Sequence, residues 1–176
     1  MKKLPLLLLF GLFSNLLLAQ FNYPVPPDNA PRLFYIQRTN SPNTVVYDAN
    51  IGADGLFNKD KPINIYWVRY SEHGQIQDLN YLQRTLAYGV KANPIGNMNE
   101  YIFHLVSYSK RNFRLKKDNN GRPVVSLTLN GKEAYLKRIF VELDPGFLGI
   151  TPNIHYVEIY GVDAKTGGGA YERFVP

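Results

Sequence analysis

The sequence predicts a mainly β protein, an antiparallel sandwich or barrel of about eight or nine strands with one short helix near residues 79–90. Three observations carry this expectation. Two Asn-Gly pairs, Asn120-Gly121 and Asn130-Gly131, stand between runs that alternate apolar and polar residues, and both residue types tolerate the positive φ that tight hairpin turns need. The other apolar runs are short, β-branched or aromatic, and bounded by Gly, Pro, Asn and Asp, the composition of strands and turns. A helical period, with apolar residues three and four apart, occurs once after the N-terminal segment, at Leu79, Leu82, Leu86 and Val90.

Taken in order, residues 1–19 read as a secretory signal: Lys2 and Lys3 supply the positive start, Leu4 to Leu18 the apolar run and Ala19 the residue before cleavage. As a helix that run would span about 22 Å, short of a bilayer core of roughly 30 Å. Residues 20–31 hold Pro24, Pro26, Pro27 and Pro31 and are expected to form an extended, poorly packed lead-in. A single β-rich domain is expected over 32–176. It opens with a hairpin of Leu33 to Thr39 and Thr44 to Ile51, divided by Asn40-Ser41-Pro42-Asn43. A strand follows at Ile63 to Tyr70, in which Trp67 shares the parity of Ile63 and Ile65 and so belongs to the core. His73-Gly74 turns the chain into the helix, with Asp78 as N-cap and Gly89 near its end. Tyr101 to Tyr108 is a strand leading into the two Asn-Gly hairpins, and Ile154 to Val162 with Ala170 to Val175 forms a last hairpin.

The Asn-Gly region defines a three-stranded meander whose register follows from matching faces. A two-residue loop at Asn130-Gly131 sets Leu129 opposite Lys132, Leu127 opposite Ala134 and Ser126 opposite Tyr135. A three-residue loop at Asn120-Gly121-Arg122 pairs Leu115 with Leu127 and Phe113 with Leu129. The core face is then Phe113, Leu115, Val125, Leu127, Leu129, Ala134 and Leu136. The opposite face carries Arg114, Lys116, Ser126, Thr128, Tyr135 and Lys137. Ile139, Val141 and Leu143 have the parity of Lys137, which predicts a bulge or bend at Lys137-Arg138, or else burial of both faces beyond it.

Four stretches, Asn43-Thr44-Val45-Val46-Tyr47-Asp48-Ala49-Asn50, Tyr66-Trp67-Val68-Arg69-Tyr70, Leu86-Ala87-Tyr88-Gly89 and Glu158-Ile159-Tyr160-Gly161, resemble an uncharacterised secreted bacterial family, domain of unknown function 4833. The resemblance covers nearly the whole chain after the signal. It implies export from a Gram-negative bacterium and a single domain, and it brings no catalytic residue.

Charge and composition narrow the function. Cysteine is absent, which excludes disulfides, thiolate metal sites and a cysteine nucleophile. The formal charge of +6 becomes +4 once Lys2 and Lys3 leave with the signal, and the segment from Lys110 to Arg138 alone carries +7. Cations beside hydroxyls on one sheet face suit a phosphate, sulfate or carboxylate. Arg114, Lys116, Ser126, Thr128, Tyr135 and Lys137 are therefore the candidate ligand-binding residues, for an anionic glycan, a lipid headgroup or a partner protein. The alternative is a solvated face whose lysines discourage edge-to-edge association. Nucleic acid is disfavoured by export and by the lack of a recognition motif.

No catalytic, metal or cofactor site is legible. His73, His104 and His155 lack metal-ligand spacing. Asp48, Asn50 and Asp54-Gly55 start like a calcium loop, but Gly52 and Lys59 stand where ligands belong. Ser71-Glu72-His73 are sequence neighbours and cannot form a triad with one another. Gly167-Gly168-Gly169 lacks the Lys and Ser/Thr of a phosphate loop. The expectation is an exported, non-catalytic domain, periplasmic or secreted, with no transmembrane helix after the signal. The alternatives are an envelope-polymer hydrolase whose site is dispersed in sequence and a small outer-membrane barrel, whose lipid-facing rows Arg and Lys would interrupt.

Overall fold

The computed structural model describes residues 23–96, 99–144 and 152–176. The expected signal, residues 20–22 of the lead-in and most of the loop after Asp144 lie outside the described residues. The fold is mainly β: eleven strands, β1 (Arg32–Arg38), β2 (Ser41–Ala49), β3 (Ile63–Arg69), β4 (Gln75–Asp78), β5 (Val90–Pro94), β6 (Tyr101–Leu105), β7 (Tyr108–Lys117), β8 (Pro123–Leu129), β9 (Lys132–Asp144), β10 (Asn153–Asp163) and β11 (Gly169–Phe174), curl into a half-barrel. No helix among the described residues is long and apolar enough to cross a membrane.

Strand β9 organises the sheet. β10 runs antiparallel to it from Ala134 to Asp144. Its other edge is shared: β8 pairs antiparallel with Lys132 to Tyr135, then β1 pairs in parallel with Arg138 to Val141. The sheet therefore divides along β9 into two wings, β1–β2–β3–β4 and β8–β7–β6–β5. Their inner faces close on each other. Phe34 of β1 stacks on Tyr47 of β2 at 4.2 Å between centroids, and lies 6.4 Å from Phe103 of β6 and 6.5 Å from Phe113 of β7. Such buried aromatic stacking carries much of the apolar burial that holds a fold of this size.

The meander has the expected core face: Phe113, Leu115, Val125, Leu127, Leu129, Ala134 and Leu136 are all buried in one cluster. Across Asn130-Gly131 the register is the expected one, with Leu127 opposite Ala134 and Ser126 opposite Tyr135. The first hairpin is shifted by two residues, so Leu115 faces Val125 rather than Leu127, and Arg114 faces Ser126. Its turn is Asn119-Asn120-Gly121, closed by Asp118 and Arg122. Gly121, with φ +75°, thereby occupies the third turn position, where the left-handed conformation is required. The Asp118 carboxylate accepts the backbone N–H groups of Asn120 and Arg122, and those bonds hold its pKa below the ordinary carboxylate value. A shift of two preserves facing, which is why the core prediction survives it.

The bulge is present. Tyr160 of β10 opposes Arg138 while Gly161 opposes Leu136, leaving Lys137 as the extra residue of β9. Ile139 returns to the core. Phe140 is buried on the other face, edge-on to Tyr23 at 5.1 Å.

Two further expectations need correction. The helix of 79–90 shrinks to a π-type turn, Gln83–Ala87, entered through Tyr81 and Leu82. Asp78 belongs to β4 and Val90 to β5. The N-cap is Asn80, whose Oδ1 accepts the Gln83 N–H while Gln83 Oε1 accepts the Asn80 N–H, a reciprocal capping box. The lead-in is extended but packs: Pro26 is buried, the Pro24 carbonyl accepts Gln37 Nε2 at 2.8 Å and the Pro27 carbonyl accepts Arg32 Nη1 at 2.9 Å.

Candidate functional site

One end of the half-barrel stays open and forms a cavity of about 450 Å³. Its wall is built where strands from both wings end: Ile36, Val45 and Trp67 on one side, Leu105 and Phe113 on the other, Ile139, Val157 and Phe174 from the shared strand and its outer pair. The turn at Gln83–Ala87 sits over this opening, with Leu86 lining it. Trp67 fixes the turn by donating its indole N–H to Gln83 Oε1 at 3.3 Å and by meeting Tyr88 edge-on at 5.1 Å. The buried Tyr47 hydroxyl donates to the Tyr88 carbonyl at 2.7 Å. Burial pushes both the Tyr47 and the Tyr88 phenol above their ordinary pKa, Tyr47 well above, so the Tyr47 hydroxyl keeps the proton it donates. Gly89 closes the turn because a Cβ there would come within 1.8 Å of the Arg84 carbonyl oxygen.

Two arginines are the charged side chains in this apolar lining. Arg38 shares the inward parity of Phe34 and Ile36 and lies 6.0 Å from the Trp67 ring; its guanidinium forms no hydrogen bond or ion pair among the described residues. Arg111 shares the inward parity of Phe113 and Leu115. It pairs with Glu172 and packs on the Phe174 ring at 5.1 Å, while its Nη1 is buried without a hydrogen-bond partner. Sequence reasoning counted Arg111 only as part of a basic segment. Its parity with Phe113 was the available signal, and Arg38 carried the same one relative to Ile36.

The six residues expected to bind an anion share the outer face of β7, β8 and β9, apart from Lys137, which the bulge displaces. Arg114, Ser126 and Tyr135 align across the three strands. Each cation there has an acid: Arg114 pairs with Glu100 at 2.5 Å, Lys116 with Glu133 at 2.7 Å and Lys137 with Asp28 at 3.6 Å. The Lys116 bond lowers the Glu133 pKa below its ordinary value. Ser126 is buried and Thr128 exposed. The face thus holds less uncompensated charge than the sequence suggests.

The remaining candidates are engaged locally. Asp48 accepts Arg32 Nε and the Tyr66 hydroxyl, each at 2.6 Å, Asn50 donates to the Lys61 carbonyl, and Asp54 accepts the Leu56 N–H. His73 takes the left-handed conformation at the 3-10 turn Tyr70–Glu72, and His104 is half-buried in β6. His155 Nε2 lies 2.7 Å from Asp144 Oδ2, but both side chains are exposed at the strand ends and outside the cavity lining. Among the described residues no three His, Cys, Asp or Glu side chains converge.

A half-barrel with one open, apolar, arginine-bearing end defines the class of this molecule. The chain belongs to the family described as Domain of unknown function (DUF4833), whose model matches residues 34–173. No curated protein and no solved structure matches it. The four stretches that resemble the family meet at this end of the fold: Val45 and Tyr47, Trp67, Leu86 and Tyr88, and Ile159 all lie at the cavity or immediately behind it.

Proposed function

We propose that the chain is an exported, non-catalytic binding domain that holds a ligand with an apolar body in the open end of its half-barrel. The observation that supports this reading is the cavity itself, about 450 Å³ lined mainly by aliphatic and aromatic side chains. Apolar surface of that kind facing water is unfavourable at roughly 25 cal/mol per Å², and the volume falls in the range of small-molecule sites. The outer basic face, with its cations already ion-paired, supports an anionic partner less well. The hydrolase alternative has less support still, because the His155–Asp144 pair is exposed and no nucleophile is hydrogen-bonded to it among the described residues.

Trp67 makes the test direct, since it is the one tryptophan of the chain and lines the cavity. Titration with the neutral apolar probe N-phenyl-1-naphthylamine is expected to quench Trp67 emission and raise probe emission with one saturable affinity. Val157→Phe, which places a ring inside the lining, is expected to weaken that affinity at least about tenfold. Unchanged Trp67 emission would sink the cavity reading. Salt-dependent retention on heparin that is lost in Lys116→Glu/Lys137→Glu would instead place binding on the outer face.

A further inference from the structure

The geometry points to a single-chain anionic amphiphile, with a carboxylate or phosphate head and one alkyl tail, as the ligand class of this cavity; this rests on the cavity reading above. The argument is one of charge. Arg38 and Arg111 are the charged side chains of a mainly apolar lining. A cation removed from bulk water is retained only where a partner or solvent compensates it. Arg111 is partly compensated by Glu172, yet its Nη1 is buried with no acceptor. Arg38 faces the Trp67 ring and has no hydrogen bond or ion pair among the described residues.

No Asp or Glu of this chain pairs with Arg38. All fourteen Asp and Glu residues lie among the described residues, and their ion pairs leave Arg38 unmatched. An incoming oxyanion would supply the missing acceptor. Guanidinium suits it because its planar fork matches two oxygens of a carboxylate or phosphate. The tail would then lie against Val45, Leu105, Ile139 and Val157. A neutral chain of equal length would fill the same space and leave the arginines uncompensated.

The experiment compares dodecanoate, dodecyl phosphate and dodecanol on the full chain by Trp67 emission. The anions are expected to bind about tenfold or more tightly than the alcohol, and the tighter anion identifies the headgroup. Arg38→Gln is expected to reduce that preference to about threefold or less while dodecanol affinity stays the same, which also shows the variant to be folded. Arg111→Lys keeps the charge but loses the fork, and is expected to weaken the anions alone. Equal binding of all three ligands would overturn the anionic assignment and leave the cavity reading intact. Failure of all three to bind would overturn both.

Discussion

Gly161 shows how one residue accommodates a feature placed on another strand. The extra residue at Lys137 presses β9 toward β10, and a Cβ at Gly161 would come within 2.7 Å of the Tyr135 carbonyl oxygen. Next to it, on the outer face, Glu158 accepts two phenol hydroxyls, those of Tyr160 and Tyr171, each at 2.8 Å. Arg138 lies over the Tyr160 ring at 5.2 Å. Burial first, and then the Glu158 carboxylate, push the Tyr160 pKa up to about 12. The ordinary value is about 10, so the folded state keeps this proton when the unfolded state has lost it. The stabilisation is complete below pH ~10 and is lost as pH rises from about 10 toward 12. In Glu158→Gln, phenolate absorbance is expected to show Tyr160 and Tyr171 both titrating earlier, Tyr160 still above the ordinary value because burial persists. Superimposable titration curves for the two proteins would show that Glu158 does not hold that proton.

At the scale of elements, the segment after β4 is where a sound periodicity argument met a competing structure. Leu79, Leu82, Leu86 and Val90 have helical spacing, but only Leu79 is buried; Leu82 and Leu86 are 63% and 68% exposed. The Asn80 cap starts the turn late, and Gly89 with its contact to the Arg84 carbonyl ends it early. Leu79→Ala is therefore expected to lower urea stability by about 2–5 kcal/mol. Leu82→Ala is expected to change it by no more than about 0.5 kcal/mol. The reverse order would mean that the periodic row packs inward after all. The same reasoning explains which strands were legible. The meander strands bury one face, and alternation with Asn-Gly turns reveals them. Strand β4 is exposed at all four residues, Gln75 to Asp78, and β5 is half-exposed and ends in Pro94. Edge strands of this kind bury too little to leave a period in the sequence.

At the scale of the whole molecule, the division of the sheet along β9 creates the cavity, and that division was not legible. Tyr35 and Arg138 meet as parallel neighbours across about a hundred residues, and no turn signal encodes so distant a pairing. Sequence parity gave the inward side chains of the meander; the same parity for Arg38 and Arg111 went unread, because nothing in the sequence shows that their strand ends converge. The lead-in is the other long-range element. Proline-rich composition suggested loose packing, yet it packs over the outer face of β1 and β9, where Gln37 and Phe140 are buried. Tyr23 covers Phe140, the Pro24 carbonyl accepts Gln37 Nε2, and Asp28 reaches Lys137 at the bulge. A chain beginning at Ala30 would uncover Phe140, worth roughly 1.5–3 kcal/mol when fully exposed, and would remove the carbonyl that accepts Gln37 Nε2. Removing the lead-in is thus expected to lower stability by roughly 2 kcal/mol or more. Probe binding by the fraction still folded should be unchanged, because the cavity lies on the opposite face of the same strands. Equal denaturation midpoints for the long and short chains would show that the segment rests on the sheet without stabilising it.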